Sequence, residues 1–285
     1  MKIAYVVGDD DPNDPDPDLD ISFVDNAAKE LNIDLVFTNW QDKKINWQDF
    51  DAAVIRSTWN YVPFRDDFVA WCKNVEKSTR LFNSSKIIEW NTDKKYLLEL
   101  EKSGIPIIPT KFCSQLIEAE NQIKWAFDQA KAIAIKPSIG AGARLAGRAT
   151  SIHEAKSLLN KIFDNNRIAM IQPYMESVDT SGEKAIVVID GKLSHVAKKV
   201  PALTKGGHGD GDGKVAIDSK LESIFEKVKS NLDCWKELIY ARIDVVENNG
   251  NYLLMELELA EPWLFMKYRP EASLDLLNAV LKRIN

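Results

Sequence analysis

The sequence predicts an α/β domain at the N-terminus, followed by an α+β region built on antiparallel hairpins. In roughly the first hundred residues, short apolar runs alternate with helical segments, which is typical of a small parallel sheet. In the second half, apolar runs come in pairs joined by short turns such as Asp190-Gly191, which is typical of hairpins. The two patterns divide the chain into regions of different architecture.

The N-terminal pattern assigns each element in order. It predicts a strand from Lys2 to Val7, a helix from Phe23 to Leu31, and strands from Asp34 to Thr38 and from Ala52 to Arg56. Prolines and acidic residues fill the segment from Asp9 to Pro17, which predicts a loop because they disfavour regular structure. A further helix is predicted from Lys94 to Lys102, with Asn91-Thr92-Asp93 as its cap and Gly104 at its end.

Two hairpins are predicted in the second half. Ala185 to Asp190 turns at Asp190-Gly191 into Leu193 to Val200, and Tyr240 to Glu247 turns near Gly250 into Tyr252 to Leu259. Between them, the sequence GGHGDGDG from Gly206 to Gly213 predicts a mobile loop. His195 lies in the first hairpin, and we expect it to be a buried core residue that shares a face with Leu193 and Ala197.

Composition limits the classes of function. The 285 residues are 45% apolar and carry a net charge of −6, so the chain can fill a core and has no general attraction for nucleic acid or anionic membranes. Cys72, Cys113 and Cys234 are widely spaced and form no CxxC pair, which argues against a disulfide framework and a zinc site. We expect a cytoplasmic protein with no signal peptide and no membrane span.

The second hairpin carries the most informative charges. Arg242 and Asp244 alternate onto one strand face, and Glu256 and Glu258 onto one face of the next strand. Three converging carboxylates raise one another's pKa unless a cation neutralises them, and hard oxygen ligands favour magnesium. Because Mg²⁺ completes its shell with water and nucleotide phosphates, the group predicts half of an ATP site. The alternative is a solvated strand face with salt bridges.

This interpretation depends on the register of the hairpin. The two charged pairs meet on one side only if the loop has an odd number of residues, and Asn248-Asn249-Gly250 suits a type I turn followed by a left-handed glycine. A two-residue Asn249-Gly250 turn would instead place Asp244 opposite Met255.

Two other segments have the composition of a nucleotide site. An apolar strand from Ala132 to Pro137 delivers Lys136 at its end, and the small residues from Ser138 to Arg144 could close over phosphate. The alternative is a plain glycine-rich turn, since the GK[ST] ending of a P-loop is absent. The run from Met170 to Met175 is a second apolar strand with a polar end, which in isolation indicates an ordinary edge strand.

A possible substrate site follows the third strand. Arg56, Trp59 and Tyr61 come just after its carboxyl end, where open α/β sheets usually bind ligands. We therefore predict that they contact substrate, against the alternative that Trp59 only packs under the loop.

Taken in order, the segments resemble the ATP-grasp superfamily, especially the glutathione synthetase-like branch, which includes a cycloserine-forming enzyme. The similarity runs over nearly the whole chain. It is carried by RSTWNY (Arg56 to Tyr61), WNTDKKYLLEL (Trp90 to Leu100), GIPIIPT (Gly104 to Thr110), IKPSIGAGA, IQPYM, SGEKAIVVIDGKLSHVAKKVPA (Ser181 to Ala202), ARIDVV and MELELAEPWLF. The resemblance implies an ATP-grasp fold with an N-terminal α/β pre-ATP-grasp domain at 1–112 and two α+β subdomains, 113–170 and 171–285, that enclose the nucleotide.

The resemblance also implies a role for individual residues. The nucleotide-binding set would comprise Lys94 and Lys136 on the phosphates, a lid with Ser138, Gly140 and Gly142, an adenine-reading hinge of Gln172, Pro173, Tyr174 and Met175, and Glu183 on the ribose. The metal carboxylates would be Asp244, Glu256 and Glu258, with Arg242 stabilising developing charge and Lys199 near the transferred phosphoryl group. Glu258 departs from the asparagine of glutathione synthetase-like members, so the second metal could be held differently.

The implied activity is ATP-dependent ligation of a carboxylate to an amine on a small amino-acid-like substrate. An acyl phosphate would form first, and an amide, ADP and phosphate would be the products. The expected cofactors are ATP and two Mg²⁺ ions, with Mn²⁺ as a substitute, and the expected assembly is a homodimer. Two alternatives are cyclisation of one amino-acid derivative and a nucleotide-binding regulator without turnover.

Overall fold

The computed structural model describes residues 1–8, 18–203 and 211–284. The strands are β1 (Lys2–Val7), β2 (Asp34–Asn39), β3 (Ala52–Ile55), β4 (Arg80–Phe82), β5 (Lys111–Cys113), β6 (Ile133–Pro137), β7 (Gly147–Ala149), β8 (Ala169–Pro173), β9 (Glu183–Ile189), β10 (Lys192–Lys199), β11 (Gly211–Val215), β12 (Tyr240–Asn248) and β13 (Asn251–Glu258). The helices are α1 (Ile21–Glu30), α2 (Arg65–Val75), α3 (Ser85–Asn91), α4 (Tyr96–Lys102), α5 (Leu116–Phe127), α6 (Ile152–Asp164), α7 (Ser177–Ser181), α8 (Ser219–Asn231) and α9 (Ala272–Ile284). None of the helices in the described part is long and apolar enough to cross a membrane.

The N-terminal strands form a parallel sheet in the order β2-β1-β3-β4. Successive residues of β1 point to opposite faces, so both faces of this central strand are buried. Ile3 and Tyr5 pack with α1 and α9, whereas Ala4 and Val6 pack with Phe68 of α2. The predicted parallel sheet is confirmed, and the carboxyl ends of β1 and β3 face the rest of the molecule.

The middle sheet is antiparallel, in the order β5-β8-β6-β7. Ile133 and Ile135 point toward α5 and α6 and fill the core between them. The alternate residues Ala134 and Lys136 therefore point to the opposite face. β8 pairs on both sides, so the interpretation of the segment around Met170 as an edge strand was wrong.

The C-terminal sheet is also antiparallel, in the order β11-β10-β9-β12-β13. One face packs against α8 through residues such as Ile186, Ile243 and Leu257. α9 returns to the N-terminal region and packs against α1. The predicted domain divisions at residues 112 and 170 fall within β5 and β8, both of which belong to the middle sheet.

The helix predicted from Lys94 begins later than expected. Asn91 is the last residue of α3, and α4 begins at Tyr96. The Asn91 side chain does not cap α4, because its amide donates to the Leu257 carbonyl at 2.8 Å and accepts from the Leu259 amide at 2.7 Å. Asn91 thus acts like an additional strand residue along the edge of β13.

The glycine-rich segment is only partly a loop. Gly211 to Gly213 belongs to β11, which pairs with β10, so the prediction of a loop up to Gly213 was wrong at this end. Residues 206–210 of the predicted loop lie outside the described residues, as does the acidic segment from Asp9 to Pro17.

His195 is a buried core residue, as predicted, but one of its expected neighbours lies elsewhere. It is 1% exposed, its ring contacts the Phe265 carbonyl at 3.2 Å, and burial lowers its pKa to about 4. The pairing of β10 with β9 shifts by one residue between Leu193 and His195. This irregularity turns Leu193 to the opposite face, whereas Ala197 stays on the face of His195.

Candidate functional site

A cleft of about 490 Å³ lies between the middle and C-terminal sheets and is closed at one end by the N-terminal domain. The predicted site residues that line it are Trp59, Tyr61, Lys94, Lys136, Gly140, Gly142, Gln172, Pro173, Tyr174, Met175, Glu183, Lys199, Arg242, Glu256 and Glu258. Ser138, Asp244 and Arg56 are at most 2% exposed. The structure therefore brings most of the predicted set into one cavity.

The turn of the β12–β13 hairpin differs from the prediction. Asn248 pairs with Asn251, which leaves a two-residue loop of Asn249 and Gly250 with φ values of 50° and 77°. Two consecutive positive φ angles are typical of a type I′ turn, for which Asn-Gly is a preferred sequence. The predicted three-residue turn was wrong.

A β-bulge restores the alignment that the turn alone would break. Val245 pairs with Leu254, but Asp244 pairs with Glu256, so Met255 is an extra residue in β13. Beyond the bulge, Arg242 pairs with Glu258. The charged residues of the two strands therefore lie opposite each other, as predicted, although for a different reason.

Asp244 is the most tightly held of the three carboxylates. It accepts bonds from Arg242 Nε at 2.8 Å and Nη2 at 2.9 Å, and from Lys199 Nζ at 2.7 Å. Burial of Asp244 raises its pKa, but the two cations outweigh burial and lower the pKa to about 2. Lys199 also pairs with Glu183 at 3.1 Å, and these acids raise the pKa of Lys199 against the effect of its own burial.

The two glutamates differ in how well they are neutralised. Glu256 pairs with Lys94 at 2.8 Å; burial raises its pKa, and Lys94 and Lys136 bring about a net lowering. Glu258 accepts a bond from Arg242 Nη2, which Asp244 shares. Burial, together with the negative charges of Asp244 and Glu256, raises the pKa of Glu258 to about 7 despite Arg242. This carboxyl therefore lacks part of the positive charge that it needs to ionise at neutral pH.

These carboxylates could provide some of the ligands of a divalent cation, but they could not surround it completely. In the ranges 1–8, 18–203 and 211–284, no group of three or more His, Cys, Asp or Glu residues is arranged to hold a metal alone. Asp244, Glu256 and Glu258 instead turn toward lysine and arginine. Mg²⁺ commonly takes one or two carboxylates and completes its shell with water and phosphate. A divalent cation would lower the raised pKa of Glu258 by supplying the missing positive charge.

The small-residue loop after β6 lies over Lys94. The Lys94 amide donates to the Ser138 carbonyl at 2.8 Å, and its Nζ donates to the Gly140 carbonyl at 2.7 Å. Ala143 has a φ of 55°, and Gly142 has a φ of 61°, so the loop bends through left-handed conformations. Lys136 lies at the end of β6 and lines the same part of the cleft.

The predicted hinge follows β8. Pro173, Tyr174 and Met175 line the cleft, and the Tyr174 amide donates to the Ala132 carbonyl at 2.9 Å. The Gln172 side chain donates to the Thr110 hydroxyl at 2.8 Å, so its amide group is already engaged within the sheet. If this segment is a hinge that binds a ligand, as predicted, the backbone and the side chains after Gln172 are the groups left to make that contact.

The three residues after β3 separate into two groups. Arg56 is 1% exposed, donates to the Pro262 carbonyl at 2.6 Å and lies 3.5 Å from Asp20, so its side chain lies in the core. The described residues of the cleft give no support for its contact with substrate, which stays a prediction. Trp59 and Tyr61 line the cleft. Their contact with substrate stays a prediction.

Sequence reasoning missed Glu261 and Trp263, which line the cleft beside the hairpin charges. Burial, together with the charge of Glu258, raises the pKa of Glu261 to about 8. The Trp263 carbonyl accepts a bond from Arg242 Nη1 at 3.1 Å. The available signal was their position in AEPW, the segment directly after the charged strand, because functional residues are often found in loops.

Two sequence comparisons place the chain among known proteins. Residues 3–83 match a family model described as the N-terminal domain of D-cycloserine synthetase DcsG. The chain is also 27% identical to the cycloserine biosynthesis protein DcsG of Streptomyces lavendulae, with 90% of this chain and 91% of that protein covered.

Comparison with solved structures extends the similarity to the whole fold. The crystal structure of D-cycloserine synthetase DcsG has a TM-score of 0.90 at 25% identity and covers 100% of both chains. D-alanine–D-alanine ligase from Bacillus anthracis complexed with ATP has a TM-score of 0.73 at 14% identity, covering 100% of this chain and 97% of that one. The ATP-grasp ligase PsnB complexed with minimal precursor, Mg and ADP has a TM-score of 0.64 at 15% identity, covering 99% of this chain and 98% of that one. The predicted ATP-grasp fold is confirmed.

Proposed function

We propose that this chain, which has the ATP-grasp fold and is similar to a cycloserine biosynthesis protein, is a ligase that joins a carboxylate to an amine on a small amino-acid-like substrate. ATP activates the carboxylate as an acyl phosphate, and the products are an amide, ADP and phosphate. The single observation that supports this most strongly is the arrangement of the hairpin charges. Arg242, Asp244, Glu256 and Glu258 lie opposite one another at a cleft that also contains Lys94.

In this proposal, ATP lies in the cleft with its adenine at the backbone from Pro173 to Met175, which lines the cleft. Glu183 would accept from the ribose hydroxyls. Lys94 and Lys136 would contact the phosphates, with the backbone of the 138–144 loop above them.

Asp244, Glu256 and Glu258 would hold the magnesium, and manganese could substitute for it because both ions accept oxygen ligands. When bound, the metal neutralises charge on the phosphates and orients them. Lys94 would exchange its contact with Glu256 for a phosphate oxygen, since it lines the same cleft. Two ions would use the three carboxylates more completely than one ion.

The reaction has two steps, and the residues of the chain assist each through charge and position. First, an oxygen of the substrate carboxylate attacks the γ-phosphorus, and the bond to the bridging oxygen of ADP breaks. Lys199, held beside Asp244, would stabilise the transferred phosphoryl group. Next, the amine nitrogen attacks the acyl carbon, phosphate leaves and the amine loses a proton. Arg242 is held rigidly by Asp244 and the Trp263 carbonyl, so it is preorganised to stabilise the oxyanion.

Cyclisation of one molecule is the second candidate. The similarity to DcsG over 90% of this chain favours it, since that relative is a cycloserine biosynthesis protein. In that case, the amine and the activated carboxyl group belong to one substrate, and the same phosphate machinery serves. The cleft chemistry is common to both candidates, so the product decides between them.

The test is phosphate release from ATP and Mg²⁺ in the presence of the common amino acids in both configurations, followed by mass spectrometry of the product. We expect phosphate release that depends on an amino-acid substrate and on the metal. A joined product indicates ligation, and a dehydrated product of unchanged carbon content indicates cyclisation. A melting temperature that rises with ATP while no phosphate is released would indicate a regulator without turnover and would contradict the proposal. The predicted homodimer is tested separately by analytical ultracentrifugation.

A further inference from the structure

Glu261 is the acidic lining residue that the nucleotide machinery leaves unused. Glu256 pairs with Lys94, and Glu258 pairs with Arg242. No lysine or arginine in the described part of the chain forms an ion pair with Glu261, whose carboxylate accepts a hydrogen bond from the Tyr61 hydroxyl. Lys94 is near enough to lower the pKa of Glu261, but it does not offset burial and the charge of Glu258. A carboxylate in a cleft without a cationic partner is costly, unless a ligand supplies the positive charge.

The surroundings of Glu261 are aromatic. Trp59 and Trp263 lie at right angles to each other, with ring centroids 5.7 Å apart, and both line the cleft. Trp59 Nε1 donates to the Glu261 carbonyl at 2.9 Å, which fixes this indole relative to the turn that carries the carboxylate. Faces of tryptophan attract cations, and they reject free carboxylates and phosphates. Both the charge and the walls therefore select a positively charged group.

The position of Glu261 relative to Arg242 limits the size of that group. Arg242 Nη1 donates to the carbonyl of Trp263, which is two residues from Glu261. Two residues span at most about 7 Å of chain. A group held by Glu261 is therefore close to the carboxyl group that Arg242 serves, and an α-amino acid carries its ammonium and carboxyl groups on the same carbon.

We propose that Glu261 binds the ammonium group of an α-amino-acid substrate at the end of the cleft walled by Trp59 and Trp263. The proposal rests on the proposed function, since it assumes that the reacting carboxyl group lies at Arg242. It adds a specificity residue: Glu261 selects substrates with an amine next to the carboxyl group over hydroxy acids of the same shape. The raised pKa of Glu261 supports this, because an ammonium partner would relieve the cause of the shift.

The experiment measures binding and not turnover. Full-length protein is saturated with a non-hydrolysable ATP analogue and Mg²⁺, and calorimetry then measures the affinity for the common amino acids in both configurations. Each amino acid that binds is compared with its 2-hydroxy acid. Glu261→Gln is the test variant, and Glu271→Gln, an exposed glutamate near α9, is the matched control.

We expect wild type to bind at least one amino acid about tenfold or more tightly than its hydroxy acid, as a charge-assisted contact predicts. Glu261→Gln should lose that preference while it still binds the ATP analogue, and Glu271→Gln should keep it. Equal binding of amino and hydroxy acids by wild type, an unchanged preference in Glu261→Gln, or no amino-acid binding by the nucleotide complex would each overturn the proposal. Failure of the ATP analogue itself to bind would identify the proposed function as the error.

Discussion

Replacing Asp244 by asparagine should destabilise the metal-free protein, because this side chain is buried and holds two cations. It is 1% exposed and accepts three charge-assisted hydrogen bonds. Its pKa falls from 3.8 to about 2, and at about 1.4 kcal/mol per pKa unit, the ionised form contributes about 2 kcal/mol. In Asp244→Asn, the N–H groups of the asparagine amide would also face the N–H donors of Arg242 and Lys199. We therefore expect the free energy of unfolding to fall by about 2–4 kcal/mol in total.

Glu258→Gln is the matched control on the next strand, because its pKa is shifted in the opposite direction. A carboxyl whose pKa is lowered contributes stability above its unfolded value near 4, so the loss in Asp244→Asn should persist from about pH 5.5 to about pH 8. Glu258 has a pKa raised from 4.5 to about 7, so the protein loses stability as the pH rises from about 4.5 to about 7. Glu258→Gln should therefore gain stability relative to wild type as the pH rises over the same range.

The assay is urea unfolding in the presence of EDTA, followed by fluorescence and circular dichroism at several pH values. Thermal unfolding should show a midpoint for Asp244→Asn that is lower by roughly 5–10 °C at neutral pH. The electrostatic reasoning is refuted if Asp244→Asn is as stable as wild type at neutral pH. It is equally refuted if the difference between Glu258→Gln and wild type does not change with pH.

Three further predictions concern activity, acid stability and packing. Glu256→Gln should lower metal-dependent ATP turnover by about 10²-fold or more, as measured by phosphate release, while circular dichroism shows an intact fold. Turnover at the wild-type rate would contradict the metal role. The stability of His195→Gln should be less sensitive to acid than that of wild type. The pKa of His195 is lowered to about 4, so the free energy of unfolding of wild type falls by about 3 kcal/mol as the pH falls from about 6.5 to about 4. Parallel urea titrations that show equal acid sensitivity would disprove this. Asn91→Leu should lower the free energy of unfolding by about 1–3 kcal/mol, since it leaves the Leu257 carbonyl and the Leu259 amide of the β13 edge unpaired. An unchanged free energy of unfolding would contradict that role of Asn91.

The elements of the fold were predictable where the hydrophobic pattern is simple. β1 was predicted at its observed bounds, because a central parallel strand is apolar on both faces and ends at a turn residue. α4 was displaced by two residues, because Asn91 makes tertiary hydrogen bonds with β13 in place of a local cap. Local pattern could not show that competition, since β13 is distant in the sequence.

The site was predictable in its charges but not in its backbone. The alternation of Arg242, Asp244, Glu256 and Glu258 identified the carboxylate group. The β-bulge at Met255, which compensates for the two-residue turn, leaves no composition signal because methionine is an ordinary strand residue.

Tertiary packing decided the residues after β3. Trp59 reaches the cleft, but Arg56 is drawn into the core by the carbonyl of Pro262 and the carboxylate of Asp20. A charged residue at the carboxyl end of a strand is a reasonable candidate for ligand contact. Its burial depends partly on Pro262, which is 206 residues away and which no local pattern reveals.

The central claim is that the carboxylates of the β12–β13 hairpin bind a divalent cation together with the nucleotide. The most direct test is a crystal structure of the protein with a non-hydrolysable ATP analogue and Mn²⁺, in which anomalous scattering locates the metal. The account predicts manganese within bonding distance of the carboxylates of Asp244, Glu256 and Glu258 and of the phosphates. A nucleotide bound in the cleft with manganese absent from the hairpin carboxylates would contradict it.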